Sequence, residues 1–256
     1  MAQSFGSDPE RYDRARPSYP AALVERVIAV CPGRDVLDVG CGTGIVARQF
    51  QAAGCSVLGV EPDARMAGHA RQRGLEVDVA TFEDWNPAGR AFDAVVAGQA
   101  WHWIDPVAGA GKAARSLRPG GRLAVFWNAT QAPPDLAEAF AGVFRRVLPD
   151  SPLFQRPAPG AEAYSGLSAK AADGIQETSA FGGPEHWEFE WDRPYTRDEW
   201  LEQVPTSGFA ARIQPDAMQQ ILAGIGAAID AAGGTFTMHY TTVAVTAART
   251  GAADPA

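Results

Sequence analysis

The sequence contains few cysteines, and they form no pattern. Cys31, Cys41 and Cys55 are the three among 256 residues, and none belongs to a C-x-x-C pair or lies at a metal-ligand spacing from a histidine. This argues against a disulfide-stapled domain and against a metal site such as zinc. An odd, unpatterned set of cysteines is typical of a reducing compartment, so we expect a cytoplasmic protein.

Long apolar runs and an excess of positive charge are missing as well. No stretch of about 20 apolar residues occurs, and residues 1–20 lack the apolar segment of a secretory leader. We therefore expect no membrane association. Lys and Arg number 22 against 30 Asp and Glu, a net charge of −8, which weighs against nucleic acid as a partner. The oligomeric state stays open.

The chain alternates apolar runs with amphipathic stretches. We predict strands over residues 36–39, 55–61, 75–81, 92–99, 121–128, 185–191 and 234–249. We predict helices over residues 20–31, 43–53, 63–73, 105–118, 133–149, 196–204 and 214–232. Strands that alternate with helices indicate an α/β fold with a parallel sheet covered on both faces.

We expect residues 1–249 to form a single domain. Its core would span residues 20–128, followed by a cap over 129–233 and a final strand over 234–249. Residues 150–183 show no clear period, and residues 250–256 are expected to be a disordered tail.

One stretch, VLDVGCGTG over residues 36–44, predicts a nucleotide-binding turn between a strand and a helix. A phosphate-binding P-loop would need Lys-Ser or Lys-Thr after Gly44, where Ile45 and Val46 stand instead. A dinucleotide turn would need glycine where Ile45 stands. Gly40, Gly42 and Gly44 therefore fit neither pattern.

Two acids suggest another ligand. Asp38 precedes the turn, where it would oppose a pyrophosphate but suit an ammonium group. S-adenosylmethionine (SAM) carries an amino-acid end and a sulfonium, and no phosphate. Glu61 ends the second strand, about 20 residues after the turn, where an acid can accept both hydroxyls of a ribose. Glu61 alone does not discriminate, because SAM and NAD both contain ribose.

Four segments together resemble the class I SAM-dependent methyltransferases. They are LDVGCGTG, GVEPDARM, FDAVVAGQAWHWID and LRPGGRLAVFWN. QAWHW and the leading YDRARPSYP are similar to the small-molecule, type-11-like branch that includes trans-aconitate methyltransferases. The resemblance covers residues 10–128 and is weaker beyond, in TSGF and HYTTVAVTAAR. It implies a Rossmann-like, doubly wound, seven-stranded sheet that is mostly parallel, with the last strand antiparallel and a cap insertion.

The resemblance also implies SAM as cofactor and assigns its binding residues. Gly40, Gly42 and Gly44 would line the methionine and ribose, with Asp38 near the amino group and Glu61 on the ribose. The remaining cofactor residues would be Tyr12, Arg16, Pro62, Met66, Phe82, Glu83, Gln99 and Ala100. Thr81 stands where the family often has an aspartate, which puts the contact to the adenine amine in doubt. Three alternatives remain. Met66 would be a core residue, Arg16 would shape the approach to the first helix, and Glu83 with Asp84 would belong to a solvated loop.

The segment AWHWID carries the chemistry expected beyond the cofactor. Trp101 and Trp103 would shield the sulfonium and bind the acceptor, unless they are core residues. His102 is the candidate catalytic base for a hydroxyl or amine acceptor, whereas a carboxylate acceptor needs no base. A structural role for His102 is the alternative. Tyr195 and Tyr240 are substrate-binding candidates, and Trp200, Thr206 and Ser207 are further possible contacts.

These observations predict a methyltransferase that modifies a small molecule, with a carboxylate or hydroxyl oxygen favoured as acceptor. The sequence GQAW follows the fourth predicted strand, where amino-methylating enzymes for bases and glutamine carry an NPPY-type segment. An NAD-dependent oxidoreductase and a SAM-binding protein without transfer activity are the competing hypotheses.

Overall fold

The structure is a computed structural model that describes residues 7–151 and 164–251. Its strands are β1 (Asp35–Val39), β2 (Ser56–Val60), β3 (Glu76–Asp78), β4 (Phe92–Gly98), β5 (Leu117–Gln131), β6 (Glu185–Thr196) and β7 (Thr235–Ala248). Its α-helices are α1 (Pro9–Ala15), α2 (Ala21–Ala29), α3 (Ile45–Ala52), α4 (Ala64–Gln72), α5 (Pro106–Ser116), α6 (Pro134–Val147), α7 (Ser165–Glu177), α8 (Arg197–Gln203) and α9 (Pro215–Ala231).

The strands form one seven-stranded sheet in the order β3-β2-β1-β4-β5-β7-β6. β1 pairs in parallel with β2 and β4, and β4 pairs in parallel with β5. β7 runs antiparallel between β5 and β6. The predicted doubly wound fold with an antiparallel last strand is thus confirmed. The strand order reverses between β1 and β4, which is where such sheets bind their ligands.

Apolar clusters cover both faces of this sheet. Continuous runs such as Ala94–Ala97 in β4 are buried because helices pack on either side. A third cluster is separate and joins α6 and α8 through aromatic rings and α9 through Ile221, Ile225 and Ile229. The rings of Phe140 in α6 and Trp200 in α8 stack with centroids 6.2 Å apart, and Phe236 of β7 meets both. These three helices form the cap, and they come from two places in the chain, after β5 and between β6 and β7.

Two helices were not predicted from the sequence. One is α7, which lies within residues 150–183, where the sequence shows no clear hydrophobic period. It packs on α5 and the sheet through Ala171, Ala172, Gly174 and Ile175. Small residues on that face weaken the hydrophobic pattern but allow close helix approach. The unpredicted α1 begins with an Asp8 side chain that accepts a hydrogen bond from the Arg11 N–H.

Within the stretch 150–183, for which the sequence shows no clear period, residues 152–163 lie outside the described residues. Residues 252–256 of the expected tail lie outside them as well. No helix in the described ranges is long and apolar enough to cross a membrane.

We expect Gly174→Ala to destabilise the fold. A Cβ at Gly174 would lie 2.6 Å from the backbone carbonyl carbon and oxygen of Pro106, and backbone atoms cannot turn away as a side chain can. Overpacking of this kind costs about 1–3 kcal/mol, measured as the free energy of unfolding in urea. Gly166→Ala, in the same helix but with open space around it, is the matched control and should not destabilise. Equal effects of the two substitutions would contradict the packing described for α7.

Candidate active site

The glycine turn after β1 is held by backbone contacts that a side chain would disrupt. Gly40 donates its N–H to the Val60 carbonyl at 2.8 Å and has a φ of +66°. A Cβ on Gly40 would lie 2.5 Å from the Cβ of Ala100, at the end of β4. Gly40 and Gly42 line a cavity at this edge of the sheet, whereas Gly44 serves as the N-cap of α3 and is not among the lining residues.

Glu61 fixes the turn from the end of β2. One carboxylate oxygen accepts the Gly42 N–H at 2.9 Å, and the other accepts the Asp63 N–H at 2.9 Å. Burial raises the pKa of Glu61, and the two backbone hydrogen bonds partly oppose that shift. Each carboxylate oxygen can accept a second hydrogen bond. Since Glu61 also lines the cavity, it can accept from a pair of ligand hydroxyls.

Asp38 lies beneath the turn rather than in the wall of the main cavity. Its side chain borders a smaller adjoining cavity with Gly40 and Gly42. Neither carboxylate oxygen has a hydrogen-bond partner among the described residues. Burial raises the pKa of Asp38 to about 7; the nearby Ala47 N–H opposes that shift, and the charge of Glu61 adds a smaller increase. A buried carboxylate with no cation of the described residues paired to it is suited to a cationic ligand group close by.

The main cavity measures about 910 Å³ and brings most predicted cofactor residues together. The predicted cofactor residues that line it are Tyr12, Arg16, Gly40, Gly42, Glu61, Pro62, Met66, Phe82, Glu83, Gln99 and Ala100. We call the part formed by Gly40, Gly42, Glu61, Pro62, Met66, Phe82 and Glu83 the cofactor side. Met66 and Phe82 are at the same time 3% exposed core residues, so both interpretations of Met66 hold.

Arg16 brings an uncompensated positive charge to this cavity. Its guanidinium lies 5.6 Å from the ring centre of Tyr12, and no carboxylate of the described residues lies within 4.0 Å of it. α1 is held in place by its other charged residues. Asp13 pairs with Arg48 at 2.6 Å, and Arg48 in turn donates to the carbonyl of Thr43 in the glycine turn. Arg16 is therefore placed to meet an anionic ligand group.

Gln99 marks the point where β4 leaves the sheet. It has a φ of +55°, which is unusual for a residue other than glycine, and its N–H bonds the Phe126 carbonyl at 2.8 Å. Such strain is kept where the surrounding structure enforces it, often at a functional site. Here it directs the chain into the short 3-10 helix Trp101–Trp103.

The three residues of that helix lie in three different environments. Trp101 is 2% exposed, belongs to the sheet core and does not line the cavity, which favours the core interpretation over substrate contact. Trp103 is 45% exposed and lines the cavity. His102 lines the cavity too, and its Nδ1 accepts a hydrogen bond from the Trp127 Nε1–H at 3.2 Å.

That hydrogen bond does not fit the general-base role predicted for His102. Indole nitrogen is only a donor, so the lone pair of Nδ1 is occupied and the neutral ring carries its proton on Nε2. Desolvation also lowers the pKa of His102. The remaining N–H of the neutral imidazole is therefore on Nε2, and neither nitrogen of this cavity-lining, exposed side chain is free to take up a proton.

The opposite wall of the cavity, which we call the cap side, is mainly aromatic and apolar. It consists of Asn128, Thr130, Phe140, Phe144, Tyr164, Leu167, Trp200, Gln203, Val204, Ser207, Gly208, Phe209, Ile225 and Tyr240. Of the residues singled out in the sequence, Tyr240, Trp200 and Ser207 are here. Tyr195 is buried behind Tyr240, with their hydroxyl oxygens 2.6 Å apart, and Thr206 is also outside the wall. Within the described residues, no cluster of metal-ligating side chains is found.

Sequence reasoning missed most of the cap side. Phe140 and Phe144 are spaced four apart in α6, a signal that does occur in the sequence and indicates one helix face. That spacing does not tell whether the face meets the sheet, a partner or a ligand. Asn128 was also missed, although it ends the apolar run of β5, where Thr242 donates to it at 2.6 Å.

Comparison with known proteins agrees with this geometry. Residues 37–125 match the family described as "Methyltransferase domain". An uncharacterized methyltransferase of Mycobacterium tuberculosis is 40% identical over 131 residues, which is 50% of this chain and 53% of that protein. A malonyl-[acyl-carrier protein] O-methyltransferase of Pectobacterium atrosepticum is 33% identical over 149 residues, 55% of this chain and 57% of that protein. The chain thus spans about half the length of the curated relatives it matches.

Solved structures match over nearly the whole chain. A candidate type II methyltransferase from Anaeromyxobacter dehalogenans has a TM-score of 0.66 at 22% identity, covering 90% of this chain and 97% of that one. A candidate methyltransferase from an antibiotic biosynthesis pathway of Anabaena variabilis has a TM-score of 0.59 at 16% identity, covering 91% and 98%. At these identities the likeness shows the fold alone. The matches do not single out the trans-aconitate branch.

Glu61→Gln should weaken SAM binding. The amide replaces one of the two acceptor oxygens with a donor that faces a backbone N–H or a ribose hydroxyl. Loss of a charged hydrogen bond costs about 1.5–3 kcal/mol, roughly 10- to 150-fold in Kd by calorimetry. Glu76→Gln, at an exposed position of β3, is the control. Wild-type affinity in a folded Glu61→Gln protein would show that the ribose does not lie at Glu61.

Asp38 should make stability depend on pH in the absence of SAM. Its pKa of about 7 in the folded state exceeds the value of about 3.9 in an unfolded chain. The folded protein therefore holds this proton more tightly, and the stabilisation is lost as pH rises toward 7. Relative to Asp38→Asn, the wild type should lose stability between about pH 4 and pH 7 in urea titrations and show no further loss above pH 7.

The control for that titration is Asp173→Asn, at an exposed position of α7. It removes a carboxylate without altering the surroundings of Asp38. A difference between wild type and Asp38→Asn that does not change with pH would contradict the buried state of Asp38.

Proposed function

We propose that this protein transfers the methyl group of SAM to an oxygen atom of a small molecule, a proposal supported by the match of residues 37–125 to the family described as "Methyltransferase domain". One observation carries the proposal. The glycine turn with Glu61 and the aromatic cap side belong to one continuous cavity. A donor held at the turn and an acceptor held under the cap would therefore meet without crossing bulk water.

The cofactor side, with Arg16 and Asp38 next to it, offers contacts for the ribose and the methionine end of SAM. Glu61 offers carboxylate oxygens to the ribose hydroxyls, and Gly40 leaves room for close approach where a Cβ would collide with Ala100. Arg16, without an acidic partner, suits the carboxylate of the methionine end, and Asp38 suits its ammonium. No phosphate-binding group is needed for this set, which distinguishes it from a dinucleotide site.

SAM, when bound, supplies an activated methyl group on a sulfonium. The residues of this chain would position and enclose the two reactants. Trp103 and the aromatic rings of the cap side exclude water and present π-faces that favour a cation. Alignment of two bound reactants can lower the barrier by about 7–11 kcal/mol, so a methyl transfer needs no further chemical group when the nucleophile is already strong.

Oxygen is favoured as the acceptor atom by the relatives. The malonyl-[acyl-carrier protein] and ubiquinone biosynthesis proteins among them are named O-methyltransferases. The cap side belongs to a cavity of about 910 Å³, a size that suits a small molecule, which supports a small-molecule acceptor. We assign residues 1–249 to a single domain whose cap, contributed by segments within 129–233, selects that acceptor.

Ligand binding and methyl transfer test the proposal in two steps. SAM and S-adenosylhomocysteine should each raise the Tm, whereas NAD should not. Methyl-labelled SAM should then label one or more members of a panel of carboxylic acids, phenols, alcohols and amines. Stabilisation by NAD alone would favour an oxidoreductase. SAM binding with no transfer to any acceptor would favour a binding protein without transfer activity.

A further inference from the structure

His102 can offer the acceptor a proton-bearing nitrogen only. Trp127, which donates to its Nδ1, is 1% exposed and lies in the centre of β5, so this donor cannot turn away. The neutral imidazole is therefore held with its proton on Nε2. Protonation at Nδ1 would set two N–H groups against each other and would break the Trp127 hydrogen bond. His102 is thus a fixed donor at the junction of the cofactor side and the cap side.

No charged residue next to His102 favours a proton on its Nδ1. The charged residues in the described cavity wall are Arg16, Glu61 and Glu83. Glu61 is engaged by two backbone N–H groups, and Glu83 follows β3 on the cofactor side. The ring packed against His102 is Trp103, with centroids 4.7 Å apart. Desolvation is the cause that shifts the pKa of His102, and it acts downward.

The cap side contains no alternative base among its described residues. Its polar side chains are the neutral groups of Asn128, Thr130, Tyr164, Trp200, Gln203, Ser207 and Tyr240. Phenols and hydroxyls are poor proton acceptors near neutral pH, and burial raises the pKa of Tyr240. An alcohol bound against the cap side would therefore find no described side chain on that side to remove its proton, since the carboxylates of Glu61 and Glu83 belong to the cofactor side.

From this geometry we infer that the acceptor is a carboxylic acid that enters as its carboxylate, and that the Nε2–H of His102 donates to it. The inference rests on the proposed function and narrows it. One carboxylate oxygen forms the O–CH₃ bond while the S–CH₃ bond breaks and its electron pair goes to sulfur. The products are a methyl ester and a neutral thioether. No proton changes place, so the step needs no base.

The opposite charges of the reactants also suit this chamber. Carboxylate and sulfonium neutralise each other as the transfer proceeds, which is favoured where water is excluded. The second carboxylate oxygen would keep the His102 hydrogen bond throughout. His102 is then a residue that positions the acceptor and selects for a group that can accept from Nε2–H.

Matched acceptor pairs test the substrate class. Wild-type protein with methyl-labelled SAM is given aryl and alkenyl carboxylic acids, each beside the corresponding alcohol, such as cinnamic acid and cinnamyl alcohol. We expect methyl esters from one or more acids, no ether from any alcohol and, at saturating SAM so that titration of Asp38 does not limit cofactor binding, a rate independent of pH between 6 and 9. Transfer to alcohols only would overturn this inference and keep the proposed function. No transfer to either class would overturn the proposed function itself.

Variants separate donation from proton acceptance. His102→Ala removes the donor and should lower kcat/KM for the acid roughly 10- to 150-fold, mainly through KM. His102→Gln can donate but cannot act as a base, so it should recover most of that loss and keep the flat pH profile. A His102→Gln protein as impaired as His102→Ala, together with a wild-type rate that rises through pH 6–7, would show that His102 is a base. Circular dichroism and SAM affinity would verify that each variant folds.

The tautomer can be read without any turnover. In ¹⁵N-histidine-labelled protein, long-range ¹⁵N–¹H spectra assign the ring proton of His102, with His102→Gln identifying its signals. We expect the proton on Nε2 in the wild type and a mixture of tautomers in Trp127→Phe, which lacks the donor. A proton on Nδ1 in the wild type would overturn the inference whatever the acceptor panel shows.

Discussion

The rest of the site depends on how closely the backbone of the glycine turn approaches its neighbours. Gly40 lies against Ala100 with no room for a Cβ, and its N–H reaches the Val60 carbonyl at the end of the adjacent strand. Glu61 then closes the turn through the Gly42 N–H. Three strand ends, from β1, β2 and β4, are thereby tied at one point, which sets where a ribose and a sulfonium can lie.

Around this point the structure places a cation and an anion without partners. Arg16 lacks an acidic neighbour among the described residues, and Asp38 lacks a hydrogen bond. Each would be costly in a buried site that stayed empty, and each becomes favourable beside the matching end of an amino acid. α1 carries Arg16 into place because its own Arg14 pairs with Glu202 of α8 at 2.8 Å. The same helix therefore joins the cofactor side to the cap.

The donor site could be predicted from the sequence to a large extent, and the acceptor site could not. The turn, Glu61 and the residues after β4 follow strands in fixed order, and parallel strands bring their ends to one edge of the sheet. The cap is built from α6, which follows β5, and from α8 and α9, which lie between β6 and β7; the three helices meet through aromatic and isoleucine side chains. Helical spacing marks their apolar faces without saying what those faces enclose. α7 was missed for a related reason, since a face of Ala and Gly gives a weak pattern.

The sequence by itself determined the fold class and the strand that ends in a glycine turn, and it favoured a cofactor with a ribose and an ammonium over one with a pyrophosphate. Those conclusions are local, because each depends on residues a few positions apart or on the order of elements. Only the tertiary structure decided that Trp101 is a core residue, that Tyr195 lies behind Tyr240, and that His102 carries its proton on Nε2. The last depends on Trp127, 25 residues away in the chain and 3.2 Å away in space. A tautomer is set by the partner of the other ring nitrogen, and no local pattern specifies that partner.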